Sequence, residues 1–172
     1  MLDYNGFWKI VLSVNLKIRK FKKNASCLTL FELNKMKKKV FISGPILGME
    51  KNQEYRKKIT DILIGTGFDV IDPWHREKVL YNGNEQCWWD KVPTFDFIQR
   101  DLDDADRCDI MVVYMPILSA GACMEMFYAK RKGKKIIIVS EIECLSPWII
   151  AHSDTVVKTF SKLEETLKNI VE

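Results

Sequence analysis

The chain has no cysteines at C-x-x-C spacing, no internal repeat and no low-complexity tract. It also has no apolar run approaching the roughly 18 residues that span a bilayer. Its five cysteines (Cys27, Cys87, Cys108, Cys123, Cys144) are scattered and odd in number. That argues against a disulfide framework or a zinc site and fits buried thiols in a reducing cytosol. The apolar stretch from Phe7 to Leu16 is broken by Lys9, Ser13 and Asn15, and no small-residue cleavage site follows it. It makes a poor secretory signal.

A basic body is missing as well. The net charge is +4, but residues 1–40 hold ten Lys/Arg against two acids, whereas residues 41–172 hold seventeen against twenty-one. The main part of the chain is slightly acidic, so neither a nucleic acid nor a membrane is an expected partner. What is present is ordinary for a cytoplasmic globular domain: 172 residues, 47% apolar and 29% charged, enough for one domain with a real core.

Two segments differ in character. Residues 1–38 mix apolar clusters with the basic run Lys17-Ile18-Arg19-Lys20-Phe21-Lys22-Lys23. They read as a poorly ordered basic extension, and Met36-Lys37-Lys38-Lys39 resembles a typical cytosolic start. Residues 39–172 alternate between strand and helix patterns. Val40 to Ser43, Phe68 to Asp72, Ile110 to Tyr114, Lys135 to Val139 and Thr155 to Val157 are short apolar runs of strand type. Helical patterns cover 54–64, 94–105, 121–131 and 161–171, with a short helix beginning around Ser146-Pro147 and Ser161 as the cap of the last. Residues 74–92 have no clear period and form a long loop. The expected fold class is α/β, a flavodoxin/Rossmann-like five-stranded parallel sheet with helices on both faces.

In such a sheet, ligands sit beyond the carboxyl ends of the strands. That geometry selects Ser43, Gly44 and Pro45 after the first strand, the segment from Pro116 to Gly121 after the third, and Ser140 and Glu141 after the fourth. Glu125 lies one turn into a helix among Ala122, Cys123, Met124, Met126, Phe127 and Ala129. A carboxylate in that company is either an exposed acid on the polar face or a functional group. Asp101 is the second candidate. It opens the acid-rich stretch Asp101-Leu102-Asp103-Asp104-Ala105-Asp106, whose other acids read as a solvated helix end. Asp109 reads as a cap at the entry of the third strand. Two carboxylates converging on a sugar carbon suit cleavage of a C–N glycosidic bond: one attacks the anomeric carbon while a proton reaches the departing base. No metal and no organic cofactor is called for.

The pattern Asp101-Leu102-x6-Asp109-Ile110-x-Val112-Val113-x5-Ser119-x-Gly121-x3-Glu125-x3-Ala129-x3-Gly133-Lys134 resembles the nucleoside 2-deoxyribosyltransferase superfamily. So does the opening Phe41-Ile42-Ser43-Gly44-Pro45-Ile46. The resemblance implies that Glu125 is the nucleophile, that Asp101 assists at sugar and base, and that Asp109, Gly121 and the opening segment belong to the substrate site. Ser119 occupies a position where nucleoside-specific members carry aspartate, which is similar to the branch that hydrolyses nucleoside 5′-monophosphates. Ser146 resembles a second phosphate-binding serine that reaches the site of a partner subunit, implying a homodimer. Phe41 replaces a tyrosine common in deoxyribose-selective members, so a ribose would be admitted. Pro45 stands where the nucleotide-cleaving branch often has serine. Trp74, His75, Trp88 and Trp89 are candidates for a base-stacking lid. The expected activity is N-glycosidic cleavage of a nucleotide. Base exchange between nucleosides and a non-catalytic nucleotide-binding module are the alternatives.

Overall fold

The structure, a computed structural model, describes residues 37–78 and 93–171. The expected basic extension therefore lies outside the described residues except for its last two positions, as do Trp88 and Trp89. No helix among the described residues is long and apolar enough to cross a membrane.

Five strands form one sheet: β1 (Lys39–Ser43), β2 (Asp69–Ile71), β3 (Ile110–Tyr114), β4 (Lys135–Val139) and β5 (Thr155–Val157). All bonded pairs are parallel, in the order β2-β1-β3-β4-β5. Six helices complete the described residues: α1 (Glu54–Gly65), α2 (Trp74–Glu77), α3 (Thr94–Arg107), α4 (Ala120–Arg131), α5 (Pro147–Ala151) and α6 (Phe160–Val171). The α/β class and the flavodoxin-like sheet are as the sequence pattern predicts.

The strands are apolar on both faces because helices cover both. Val40, Ile42, Ile110, Val112, Ile137 and Val139 pack under Ile59 and Leu63 of α1 and Leu163 and Leu167 of α6. Their alternates Phe41, Met111, Val113, Ile136 and Ile138 pack under Ala105 of α3 and Ala122, Met126 and Ala129 of α4. This alternation follows from the two-residue period of a strand. The winding direction reverses between β1 and β3, which pair from Val40–Ile110 to Ser43–Val113. Their carboxyl ends therefore flank the switch point, where a crevice opens in folds of this order.

Two local expectations need correction. Residues 74–77, read as loop, form the helical turn α2; four residues are too few to display a helical period. The cap of α6 is Thr159 rather than Ser161. The Thr159 Oγ1 accepts from the Lys162 amide at 3.2 Å and its carbonyl from the Leu163 amide at 3.0 Å, so the cap falls two residues before Ser161.

Candidate active site

Ser119 leaves β3 in an extended conformation and caps α4, its hydroxyl accepting from the Ala122 amide at 3.4 Å. Ala122, Met126 and Ala129 then turn toward the sheet and are buried. Glu125, three residues after Ala122, lies at the margin of that buried face and is half-buried. On the facing strand Ser43 ends β1 and is 1% exposed. Its Oγ donates to Glu125 Oε2 at 2.6 Å. The last residue of β1 and the first full turn of α4 thus meet at the switch point. Burial pushes the Glu125 carboxyl up to about 7. The charge of Asp101 adds to this, while the Ser43 hydrogen bond and Arg56 oppose it.

Asp101, on α3, is buried and accepts from an Arg76 guanidinium nitrogen at 3.1 Å. The same guanidinium reaches Asp104 at 2.5 Å, and Arg107 holds the other Asp104 oxygen. An aspartate beside an arginine normally ionises more readily. Asp101 goes the other way, up to about 8, first because of burial and then because of Glu77. Glu77, the last residue of α2, is 3% exposed, and burial raises its carboxyl as well. Three carboxyl groups, all raised, therefore converge from α2, α3 and α4.

Arg56 builds the floor. It is buried in α1 and donates to Gln53 Oε1 (2.6 Å), Asp72 Oδ1 (2.7 Å), the Ile42 carbonyl (3.2 Å) and the Gly44 carbonyl (3.3 Å). One side chain thus ties the ends of β1 and β2 to α1. The loop after β1 is held at Pro45, whose carbonyl accepts from Gln53 Nε2 at 2.9 Å and from the Tyr55 hydroxyl at 3.4 Å. Gly44 is required by closeness: a Cβ there would lie 2.5 Å from the Tyr55 hydroxyl. Tyr55 is itself stacked on Tyr114, with centroids 4.3 Å apart.

The structure brings Ser43, Asp101 and Glu125 together, with Gly44 and Pro45 beside them. Ile46 is half-buried and begins the next turn, its carbonyl accepting from the Met49 amide. Gly121 lies exposed in the first turn of α4, where a Cβ would meet open space. Ser146 caps α5, its hydroxyl accepting from the Trp148 amide at 3.3 Å. Phe41 has no exposed surface; it packs in the core one layer below Ser43 on the same face of β1. Trp74 is half-buried and His75 exposed on α2. Asp109 is not brought to this cluster. Its carboxylate accepts from the Lys39 amide at 2.8 Å, at the amino ends of β1 and β3 and so at the opposite edge of the sheet.

Sequence reasoning passed over Glu77, Arg76 and Arg56. The first two sit in the segment with no readable period, and Arg56 looks like one more charge on an amphipathic helix. Two open depressions, one lined by Lys130, Lys134, Lys135 and Thr155 and one by Lys39, Asp69 and Arg107, lie at the amino edge of the sheet. Neither contains the carboxyl cluster, and the carboxyl edge is where parallel sheets of this order bind ligands.

Fold and cluster together define an α/β protein with a group of raised carboxyl side chains at its switch point. The chain belongs to the family described as Nucleoside 2-deoxyribosyltransferase like, whose profile matches residues 37–142, and so stands among nucleoside-processing enzymes. Among curated proteins, none matches it by sequence. Solved structures show the same fold. A 2-deoxyribosyltransferase from Bacillus psychrosaccharolyticus aligns with a TM-score of 0.59 at 17% identity, covering 75% of this chain and 95% of that one. A conserved protein from Enterococcus faecalis gives 0.63 at 14% identity, with 78% and 99% covered. A CMP N-glycosidase from Clostridium botulinum gives 0.52 at 19% identity, with 77% and 99% covered.

Proposed function

We propose that this protein cleaves the N-glycosidic bond of a ribo- or deoxyribonucleoside 5′-monophosphate through a covalent glycosyl-Glu125 intermediate, releasing free base and sugar 5-phosphate. The observation that carries the reading is the pairing of Glu125, oriented by Ser43, with a buried Asp101 close enough for its charge to act on Glu125. In the first step a Glu125 carboxylate oxygen bonds to the anomeric carbon as the bond to the base nitrogen breaks. The base leaves with its bonding electrons and takes a proton from Asp101. In the second step water attacks the anomeric carbon, the ester bond to Glu125 breaks, and the proton lost by water returns to Asp101.

Nucleotide rather than nucleoside recognition is supported by Ser119, a neutral donor at the start of α4, where the helix dipole favours an anion. Base exchange is the second reading, favoured by the likeness in fold to the Bacillus transferase. A non-catalytic nucleotide-binding module on the same sheet is the third. Incubating one nucleotide with and without a second free base, and analysing the products, separates hydrolysis from transfer. Glu125→Ala is expected to remove turnover while retaining ligand binding. A variant whose signal with nucleotide equals that of wild type, with no product from either, would mark a sensor. Rates with CMP and dCMP for wild type and Phe41→Tyr address the sugar. A deoxy preference already present in wild type and unchanged in the variant removes Phe41 as the discriminating residue.

The same reading includes a homodimer in which Ser146 reaches the partner's site. Exposed apolar side chains on α4 (Met124, Phe127) and on α5 (Trp148, Ile150), the helix that Ser146 caps, support it.

A further inference from the structure

Arg76 crosses from α2 to α3 and bridges two aspartates there. Its Nη2 donates to Asp101 Oδ1 at 3.1 Å, and its Nη1 lies 2.5 Å from Asp104 Oδ2. Asp101 and Asp104 stand three residues apart on one helix, so their side chains share a face. The planar fork of a guanidinium spans such a pair, which the single ammonium of a lysine does not. The two aspartates differ in what else holds them. Asp104 is wholly buried and has a second arginine, Arg107, on its other oxygen. Asp101 has no second arginine among the described ion pairs. A contact that served only to join α2 to α3 would be complete with Asp104, yet the other arm of Arg76 reaches the carboxyl group nearest the chemistry. A protonated carboxyl group has one oxygen that carries the hydrogen and one free to accept. An N–H donor at Oδ1 makes that oxygen the acceptor and leaves the proton to Oδ2.

We propose that Arg76 is the positioning residue for Asp101: fixed by Asp104, its guanidinium holds Oδ1, directs the transferable proton to Oδ2 and stabilises the carboxylate left when the departing base takes that proton. The proposal deepens the reading of Asp101 as proton donor and rests on it. In the transfer the O–H bond at Oδ2 breaks and its electron pair stays on the carboxylate. The proton bonds to a nitrogen of the base, which leaves with the electrons of the glycosidic bond. Two guanidinium groups favour the charged form of Asp104. Before the transfer Arg76 and Arg107 therefore face one ionised aspartate, and after it they face two, so the network reaches charge balance as the proton leaves. In the second step water bonds to the anomeric carbon and gives a proton to Oδ2, which restores the starting state. The charged and titratable groups acting at Asp101 are Arg76 and Glu77 from α2 and Glu125 from α4, with Asp104 one turn along its own helix. Arg76 is the group among them that favours the ionised form of Asp101, so its loss moves that ionisation to higher pH.

The test follows CMP cleavage by the full chain against pH in wild type, Arg76→Gln and Arg76→Lys. In Arg76→Gln, kcat at the optimum is expected to fall by about tenfold or more as the donor loses its orientation. The basic limb of kcat/KM moves up by about 1 pH unit as the positive charge is lost, and KM stays within a factor of about two. Arg76→Lys keeps the charge but not the fork, so kcat falls while the limb stays in place. A packing role would move neither the limb nor its dependence on charge. A second arm needs no substrate: with carboxyl groups labelled with 13C, the Asp101 signal titrates by NMR at higher pH in Arg76→Gln than in wild type. If Arg76→Gln fails to fold, Arg76→Lys decides, since an undiminished kcat there overturns the proposal. A rise in KM at unchanged kcat also overturns it, because Arg76 would then be a contact to substrate. Cleavage by wild type, with limb and Asp101 titration both unmoved in Arg76→Gln, removes the role of Arg76 and leaves the proposed function standing. Absence of cleavage by wild type overturns the proposed function itself.

Discussion

In the proposed reaction Glu125 must be ionised to attack, and burial pushes its carboxyl up to about 7. In the same reaction Asp101 must be protonated to serve the leaving base, and burial together with Glu77 raises its carboxyl well above the ordinary aspartate range. The kcat/KM profile of the free enzyme is therefore expected to be bell-shaped, rising through about 7 and falling at higher pH as Asp101 ionises. Ser43→Ala removes the hydroxyl that stabilises the charged form of Glu125 at 2.6 Å, so the rising limb should move to higher pH. Activity at pH 6.5 should fall more than activity at pH 8, by about tenfold for each pH unit the limb moves; a limb that stays in place would contradict the role given to Ser43. The same group bears on stability. A carboxyl raised in the folded state stabilises it fully below its unfolded value near 4.5 and loses that contribution as pH rises through about 7. Glu125→Gln, which cannot ionise, should therefore be more stable than wild type at pH 8, by about 1–3 kcal/mol, and nearly equal to it at pH 4. Urea denaturation at the two pH values measures both.

Among the elements, α1 and α2 do more for the site than their patterns announce. The Arg56–Asp72 ion pair has side chains only 3% and 4% exposed, and the same guanidinium satisfies the carbonyls of Ile42 and Gly44. Breaking such a pair from one side leaves a buried charge uncompensated and typically costs about 3–5 kcal/mol. Arg56→Ala is expected to lose stability on that scale in denaturant unfolding, with the loop after β1 freed and turnover reduced. A loss under about 1 kcal/mol, the range of a surface pair, would show that the clamp is dispensable. The short helix α2 carries Arg76, paired with Asp101 and Asp104, and the buried Glu77, besides Trp74 and His75, whose ring chemistry is the more conspicuous feature of the sequence. Its four residues give no period to detect, and its position under α3 follows from tertiary contacts of Arg76 with Asp101 and Asp104. The acid-rich end of α3 was legible only as a solvated stretch, yet Asp104 is wholly buried and shared by Arg76 and Arg107.

At the scale of the molecule, exposed apolar side chains gather on α4 and α5. Met124 is 70% exposed and Trp148 73%, on helices that carry Glu125 and follow Ser146. If the proposed homodimer buries this surface, Trp148→Asp should convert a dimer to a monomer in sedimentation or size-exclusion measurements without lowering the thermal stability of the monomer. Ser146→Ala would then lower affinity for the nucleotide while leaving assembly intact. Monomeric wild type at assay concentration would remove Ser146 from the substrate site altogether.

The amino-acid sequence by itself determined the strand and helix alternation, the parallel sheet and the identity of the nucleophile candidate. Those features are written in local periods and in a motif whose spacing survives without knowledge of contacts. Position along the chain also placed Ser43 and Glu125 at the carboxyl edge, since strand ends in a parallel sheet share one side. Tertiary structure alone decided which acids meet. Asp101 and Glu77 are 24 positions apart and come from separate helices, and Asp109, which shares the family pattern, points away to the amino edge. Protonation depends on burial and on neighbouring charge, both properties of distance in space, and no reading of spacing along the chain supplies that distance.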